Sequence, residues 1–231
     1  MRRLAEIDST NRYVLDQARS GAAEGLVAVA DHQRAGRGRL GRAWVAPAGS
    51  SLLVSVLFRP RIGADRLHLV TAAVALAACD ACEAEVGFRP ALKWPNDLMA
   101  GEAKLAGVLA EAELPAVVVG MGLNVNWQEP PAGLAGRAVS LSQVAGHPVD
   151  SEALLDHFLR FLARRSSNWS EVGPEYRRRC ATVGRLVRVE LSGETATGTA
   201  VDVDDDGRLV VDVDGRRWRC ASGDVVHVRH S

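Results

Sequence analysis

The alternation of apolar and polar positions divides this chain into helix-like and strand-like stretches. Behind the polar start Asp8-Ser-Thr-Asn11, the apolar residues Tyr13, Val14 and Ala18 continue one face of a helix with a hydroxyl or carboxylate ready to cap it. Asp65 to Val86 reads as a long helix, alanine-rich between Thr71 and Glu85. Asp150 to Arg165 puts Leu154, Leu155, Phe158, Leu159 and Leu162 on one side of an amphipathic helix. The runs Leu26–Ala30, Ser51–Phe58, Leu92–Met99, Lys104–Glu111 and Ala116–Asn126 read as strands, with Ala100-Gly-Glu102 turning one into the next as a hairpin. From about Val183 the texture changes. Short β-patterned runs at Leu186–Leu191, Thr195–Val201, Leu209–Val213, Arg217–Cys220 and Val225–Val228 alternate with Gly and Asp turns. They predict a small barrel-like module over residues 183–231, packed on a main domain of residues 1–182.

Reading the strands with a period of two turns them into chemistry. Between Val119 and Asn126, one face carries Val119, Met121, Leu123 and Val125, which suits a core. The other carries Gly120, Gly122, Asn124 and Asn126, leaving room for a ligand and donors for its polar atoms. The same reading groups Lys104 with Ala106, Val108 and Ala110, so the lysine lies over open space beside small residues. Lys93-Trp-Pro-Asn-Asp97 holds a cation, an aromatic ring and two polar side chains around a proline that restricts Trp94 to extended backbone.

The segment Arg34-Ala-Gly-Arg-Gly-Arg-Leu-Gly-Arg42, closed by Trp44, interleaves four arginines with three glycines. Glycine permits close backbone approach, and the guanidinium fork matches phosphate and carboxylate oxygens. Four neighbouring cations repel one another, so the loop is expected to be mobile until an anion orders it. Ser9 and Thr10 fit helix capping, and the helix N-terminus they open suits an anionic ligand as well.

Composition narrows the field. The chain has 231 residues, 47% of them hydrophobic, with 28 basic and 28 acidic side chains. Zero net charge argues against general nucleic-acid or membrane-surface binding and makes the arginine cluster a local device. No apolar leader follows Met1, and the apolar stretch from Val70 to Cys79 is too short to cross a bilayer, so a cytoplasmic protein is expected. Four cysteines fit a reducing compartment. Cys79 and Cys82, one turn apart in a helical stretch, read as small apolar side chains, because no second pair completes a zinc site. Asp202-x-Asp-x-Asp206-Gly207 imitates the opening of a calcium loop, but Val213 stands where the closing acid belongs, so an Asp-Gly hairpin turn is expected. No paired histidine spacing suggests a ligand set, and no metal-binding residue is assigned.

In this order and spacing, Ser9-Thr-Asn11, Gln33-x-Ala-Gly-Arg-Gly-Arg-x-Gly-Arg-x-Trp44, Lys93-Trp-Pro-Asn-Asp97, Lys104-Leu-Ala-Gly107 and Gly120-x-Gly-x-Asn124 closely resemble the biotin protein ligase family, over about Ile7 to Arg229. The resemblance implies an α+β fold: a class II aminoacyl-tRNA synthetase-like catalytic domain with a mixed β-sheet and flanking helices, and a C-terminal SH3-like β-barrel. It implies an enzyme that joins biotin to ATP, releasing pyrophosphate, and transfers biotin from biotinyl-5′-AMP to a lysine of a biotin carboxyl carrier protein domain of acetyl-CoA or acyl-CoA carboxylase or related biotin enzymes. It also implies that Ser9, Thr10, Gln33, Gly36, Arg37, Arg39, Lys104, Gly107 and Gly122 contact biotin. Arg39, Arg42, Trp44, Lys93, Asn96 and Asn124 would lie near ATP and the adenylate. Lys104 is expected to act first in catalysis, assisted by Arg39 and Lys93, with Mg²⁺ arriving on the nucleotide. Some relatives add an N-terminal DNA-binding domain; this chain starts almost at the ligase motif, so no DNA partner is expected, and a monomer or weak homodimer is. Leu40 departs from the basic or polar residue that many relatives carry there. Two other readings stand beside this one: a lipoate or octanoate ligase on the same fold, and an RNA-binding module using the arginine loop and the barrel.

Overall fold

The computed structural model describes residues 1–191, 194–220 and 224–227. Seven strands, β1 (Arg2–Ile7), β2 (Val27–Gln33), β3 (Ser51–Phe58), β4 (Ala91–Lys93), β5 (Asp97–Ala100), β6 (Ala103–Glu113) and β7 (Ala116–Asn124), form one mixed sheet. Their order is β1-β2-β3-β7-β6-β5-β4, with β1 parallel to β2 and the other described pairs antiparallel. The helices are α1 (Thr10–Arg19), α2 (His68–Val86), α3 (Leu141–Ala145), α4 (Ser151–Ser166) and α5 (Trp169–Arg179).

Period-two alternation divides the sheet's two faces between different partners. Val54, Val56, Val117 and Val119 face α2, which is apolar almost all round because α4 and α5 cover its outer side. Ala28, Leu57 and Val118 face the opposite way and bury Val14, Leu15 and Ala18 of α1. The short α1 covers only part of that face. Towards β7, β6 and β5 the same face is roofed by the Arg34–Trp44 segment, and the site lies beneath that roof.

Two strand expectations change. Leu92–Met99 is not one strand but β4 and β5, folded back on each other around Trp94-Pro-Asn96 with Lys93 opposite Asp97. In β6, Leu105 is an extra residue: Leu98 pairs with Ala106 while the next residue, Met99, pairs with Lys104. This bulge reverses the alternation, so Lys104 does not share a face with Ala106, Val108 and Ala110. It shares one with Gly107 instead. β1, α3 and α5 were not anticipated; α5 carries Pro174 in its interior, a poor helix signal.

The C-terminal strands β8 (Leu186–Leu191), β9 (Glu194–Val203), β10 (Leu209–Val213), β11 (Arg216–Cys220) and β12 (Asp224–His227) form an antiparallel sheet in the order β11-β10-β9-β8-β12. The expected strand end at Val228 falls outside the described residues. Asp204–Gly207 is the β9–β10 turn, as the Asp-Gly pattern suggests. Cys79 and Cys82 are buried on α2 as apolar fillers, and burial pushes the Cys79 thiol up to about 12. No described helix is long and apolar enough to cross a membrane.

A charge network ties the helical layer together. Asp80 of α2 meets Arg165 of α4 and, at 2.8 Å, Arg179 of α5, while Glu175 takes both arginines at 2.8 and 3.0 Å. Asp80→Ala leaves two guanidinium groups whose side chains are only 14% exposed to share the single acid Glu175, and is expected to cost about 3 kcal/mol in chemical denaturation. The Glu175 carboxyl is held down at about 2, chiefly by its hydrogen bond from Arg165. Its depressed value fixes the sign: the contribution is complete above the ordinary carboxyl value of 4.5 and is lost as pH falls towards 2. Acid titration of stability should show that loss, and Glu175→Gln should flatten it.

Candidate functional site

The floor of the site is a polar web in an otherwise apolar sheet. Ser9 caps α1, its hydroxyl accepting from Arg12 N, so the capping and pocket readings hold together. Thr10 donates to Gln33 Oε1 from its backbone N (2.7 Å) and its hydroxyl (2.9 Å). The fully buried Ser55 hydroxyl lies 2.7 Å from Thr10 Oγ1 and 2.6 Å from Asn11 Oδ1. Asn11 Nδ2 then donates to Glu111 Oε2 at 2.8 Å, and Glu111 pairs with Arg37 at 2.9 Å. A chain of contacts therefore runs from the N-terminus of α1 to the arginine loop.

That loop is a small hairpin, with Trp44 N donating to Gly36 O at 2.9 Å and Gly38 N to Arg42 O at 2.7 Å. Its tip, Leu40 and Gly41, lies in the left-handed region at φ 57° and 71°. Leucine there is strained and its side chain is 66% exposed, so nothing at the site depends on its bulk. Arg34 pairs with Asp8, Arg37 with Glu111, and Arg39 Nη1 donates to Asn96 Oδ1 at 3.2 Å. Acidic and amide partners thus offset the repulsion on which the expected mobility rests.

Glycines let the roof meet the floor. A β-carbon on Gly122 would lie 2.3 Å from Trp44 Cε2, and one on Gly120 2.1 Å from Asn11 Oδ1. At Gly107 it would meet Lys104 Nζ and Trp44 Cζ3, both at 3.1 Å. The Lys104 ammonium sits 2.6 Å from Asp97 Oδ1 and 5.6 Å from the centre of the Trp44 ring. The Asp97 oxygen makes no well-angled hydrogen bond, so this contact is ionic.

Two cavities meet at this point. The first, about 560 Å³, is lined by the expected Ser9, Thr10, Gln33, Arg37, Arg39, Arg42, Trp44, Lys93, Asn96, Lys104, Gly107 and Gly122. The second, about 550 Å³, shares Arg42, Trp44, Lys93, Asp97, Lys104 and Arg137 with it and adds Asn124 and Arg185. Six cations (Arg37, Arg39, Arg42, Lys93, Lys104, Arg137) and a single acid, Asp97, line the first cavity, in a chain of zero net charge. So many cations in one cleft favour an anionic ligand.

Three of the expected residues have structural tasks of their own. Gly36 does not line either cavity; it is the point where the loop's limbs touch, a β-carbon there falling 2.5 Å from Trp44 O. Asn124 belongs to the second cavity, and its Nδ2 is spent on Val139 O at 3.0 Å, holding the Arg137–Val139 strand segment beside Lys104. Asn126 lies beyond β7, staples Val149 through both its amide atoms at 2.9 Å and lines neither cavity. The sequence reading also missed participants. Ser55 stands out as a hydroxyl inside the apolar run Leu52–Phe58, a signal that was available. Glu111, Arg137 and Arg185 had none, since their relevance depends on which segments the fold brings together.

Comparison with known proteins agrees with this geometry. Residues 4–126 match the biotin/lipoate A/B protein ligase family, and residues 182–228 match the biotin protein ligase C-terminal domain. The chain is 40% identical to the biotin–[acetyl-CoA-carboxylase] ligase of Mycobacterium tuberculosis, over 98% of this chain and 88% of that one. It is 30% identical to the bifunctional ligase/repressor BirA of Bacillus subtilis, over 95% of this chain and 71% of that protein. The biotin protein ligase of Aquifex aeolicus, solved in complex with biotin and ATP, superposes with a TM-score of 0.86 at 27% identity, covering 99% and 98% of the two chains. On the combined weight of its motifs, its two family matches and these relatives, the chain belongs to the biotin protein ligase family.

Proposed function

We infer that this chain joins biotin to ATP, giving biotinyl-5′-AMP and pyrophosphate, and then transfers biotin to a lysine of a biotin carboxyl carrier protein domain, such as that of acetyl-CoA or acyl-CoA carboxylase. The observation that carries this reading is the pair of cation-walled cavities that meet at Lys104. Biotin occupies the first, against Ser9, Thr10, Gln33 and the Gly122 floor. The nucleotide occupies the second, between Trp44, Lys93, Arg42 and Asn124. In this reading residues 1–182 are the class II aminoacyl-tRNA synthetase-like domain and residues 183–231 the SH3-like barrel, supported by the five antiparallel strands there. The enzyme works in the cytoplasm as a monomer or weak homodimer.

Charge dictates the mechanism. A carboxylate approaching the α-phosphate meets like charge, and each unit pair repels by about 4 kcal/mol at about 4 Å and an effective dielectric near 20. Lys104, at the junction, sits between the two reactants and offsets that repulsion, while Arg39 and Lys93 hold the charge gathering on phosphorus oxygens. The carboxylate oxygen bonds to phosphorus, and the bond to the bridging oxygen breaks, its electron pair leaving with pyrophosphate. The protein side chains offer Mg²⁺ no cage: Asp97 is engaged by Lys104, Glu102 is the other acid on the second wall, and no cluster of three metal-ligating side chains forms among the described residues. Asp97 and Glu102 are the carboxylates that would face Mg²⁺ brought in with the nucleotide, and the ion would supply neutralisation of phosphate charge. In the second step a neutral lysine amine attacks the mixed anhydride, the carbon–nitrogen bond forms, and AMP departs with the electrons of the broken bond. The loop meanwhile keeps water away from the anhydride.

Incubation with ATP, Mg²⁺, biotin and a carrier domain should label the carrier, and ATP–pyrophosphate exchange should respond to biotin and not to lipoate or octanoate. Exchange driven by lipoate or octanoate alone would overturn the assignment. Arg39 ties the loop to the Asn96 turn through one charged hydrogen bond. Arg39→Gly is therefore expected to release free biotinyl-5′-AMP roughly tenfold faster, the scale of losing such a bond. Chromatography of the reaction mixture reads this directly; no accumulation of free adenylate would remove the loop as the retaining element.

A further inference from the structure

The Lys93–Asp97 turn has two sides. One presents Lys93, Asn96 and Asp97 to the cavities, and the other rests on the C-terminal module. Trp94, 3% exposed, is held by two groups from the C-terminal part of the chain. Its backbone N donates to the buried Thr182 hydroxyl at 3.0 Å, and its indole Nε1 donates to the Gly207 carbonyl at 2.9 Å. Tyr176 of α5 adds a hydroxyl 3.4 Å from the Pro95 carbonyl.

The acidic run that imitates a calcium loop has another use here. Asp204 Oδ1 accepts from the backbone of Asp206 (3.1 Å) and Arg208 (2.9 Å), which shapes the turn. Arg177 of α5 pairs with Asp205 at 2.7 Å and Asp202 at 3.2 Å and donates to the Val203 carbonyl, which docks the turn. Gly207 is at φ +74°, and a β-carbon there would lie 2.3 Å from His68 Cδ2 at the start of α2. Only glycine lets the carbonyl reach Trp94 with the His68 ring in place.

We propose that the Asp202–Gly207 turn is a positioning element for the nucleotide half of the site: its Gly207 carbonyl fixes the Trp94 indole, and Trp94 fixes the adjoining Lys93, which lines the second cavity. The assignment rests on the ligase reading above. Displacements near one ångström are enough to cost a reaction up to a hundredfold. The first cavity borders the same turn through Lys93 and Asn96, but the Ser9, Thr10, Gln33 and Gly122 that take biotin in the reading above lie at the start of α1, on β2 and on β7, away from Trp94. The two substrates are thus expected to respond differently when the turn is disturbed.

The test compares the full-length protein with Trp94→Phe, Gly207→Ala and the double variant Gly207→Ala/His68→Ala. Biotin affinity is measured by calorimetry, ATP parameters by biotin-dependent pyrophosphate exchange, and transfer from supplied biotinyl-5′-AMP by carrier labelling. Trp94→Phe keeps an aromatic ring in the slot while removing the donor and part of the indole's volume. It and Gly207→Ala should lower kcat/KM for ATP about five- to tenfold, with biotin affinity and transfer within about twofold of the parent. Removing the His68 ring should restore most of the loss in Gly207→Ala. Equal shifts in biotin and ATP parameters, no shift at all, or no rescue by His68→Ala would overturn the proposal. Absence of biotin-dependent exchange in the unsubstituted protein would instead overturn the ligase reading itself, and this assignment with it.

Discussion

Lys104→Ala is expected to slow adenylate formation at least about a hundredfold, with much smaller damage to the folded state. Its side chain is 34% exposed and its partners are Asp97 and the face of Trp44, so truncation removes no core packing. On the proposed mechanism, what is lost is the cation at the point where the carboxylate and the α-phosphate come together. Preorganised charge at such a point is worth roughly a hundredfold or more in rate. The loss has a second component. Without the ammonium, the Asp97 carboxylate faces the incoming phosphates uncompensated, adding repulsion of its own. Lys104→Ala/Asp97→Ala should therefore recover part of the rate that Lys104→Ala loses, a non-additivity expected of groups in contact. Biotin-dependent pyrophosphate exchange measures the step without a carrier. A near-normal rate in Lys104→Ala would remove the lysine from this role.

The residues that could be found from sequence are those whose neighbours in the chain are also their neighbours in space. The glycine-arginine hairpin, the Ser9 cap and the Gly120/Gly122 face each depend on local backbone, and period-two reading placed both glycines on the side where Asn11 and Trp44 close in. Period-two reading puts Lys104 on the wrong face of β6, because one bulged residue, Leu105, reverses alternation and leaves no mark in the hydrophobic pattern. The strand drawn through Trp94-Pro-Asn failed for a related reason. Apolar residues continue on both sides of the turn, so the pattern hides the fold-back that presents Lys93 opposite Asp97. Glu111 meets Arg37, and Arg137 joins the cavity wall, across 74 and 33 residues of chain respectively when counted from Arg37 and from Lys104, and no local period encodes such meetings. Likewise β1 was missed because an edge strand with little buried surface carries almost no apolar signal.

Gly122→Ala is expected to lower biotin affinity about a hundredfold while leaving thermal stability nearly unchanged. The strand itself accepts alanine, since Gly122 is not among the residues with positive φ. The added carbon, however, would lie 2.3 Å from Trp44 Cε2 and 2.6 Å from its Cζ2 and Nε1. An indole is rigid, so the whole ring must move, and its retreat is restricted. Its other edge already lies 3.1 Å from where a β-carbon on Gly107 would be, and Lys104 stands over its face. Forcing a group into so close a contact typically costs 1–3 kcal/mol. Here the roof can escape that strain by swinging open with Trp44, so the cost is transferred from folding to binding. At 1.4 kcal/mol per decade, the upper part of that range is the hundredfold expected. Gly38→Ala supplies the control, because its β-carbon would meet Arg42 only at an ordinary 3.5 Å. Calorimetric biotin affinity for Gly38→Ala should stay within about threefold of the parent. Equal losses in the two variants would mean that the loop tolerates no added bulk anywhere, and that the Trp44–Gly122 contact has no special part in closing the pocket.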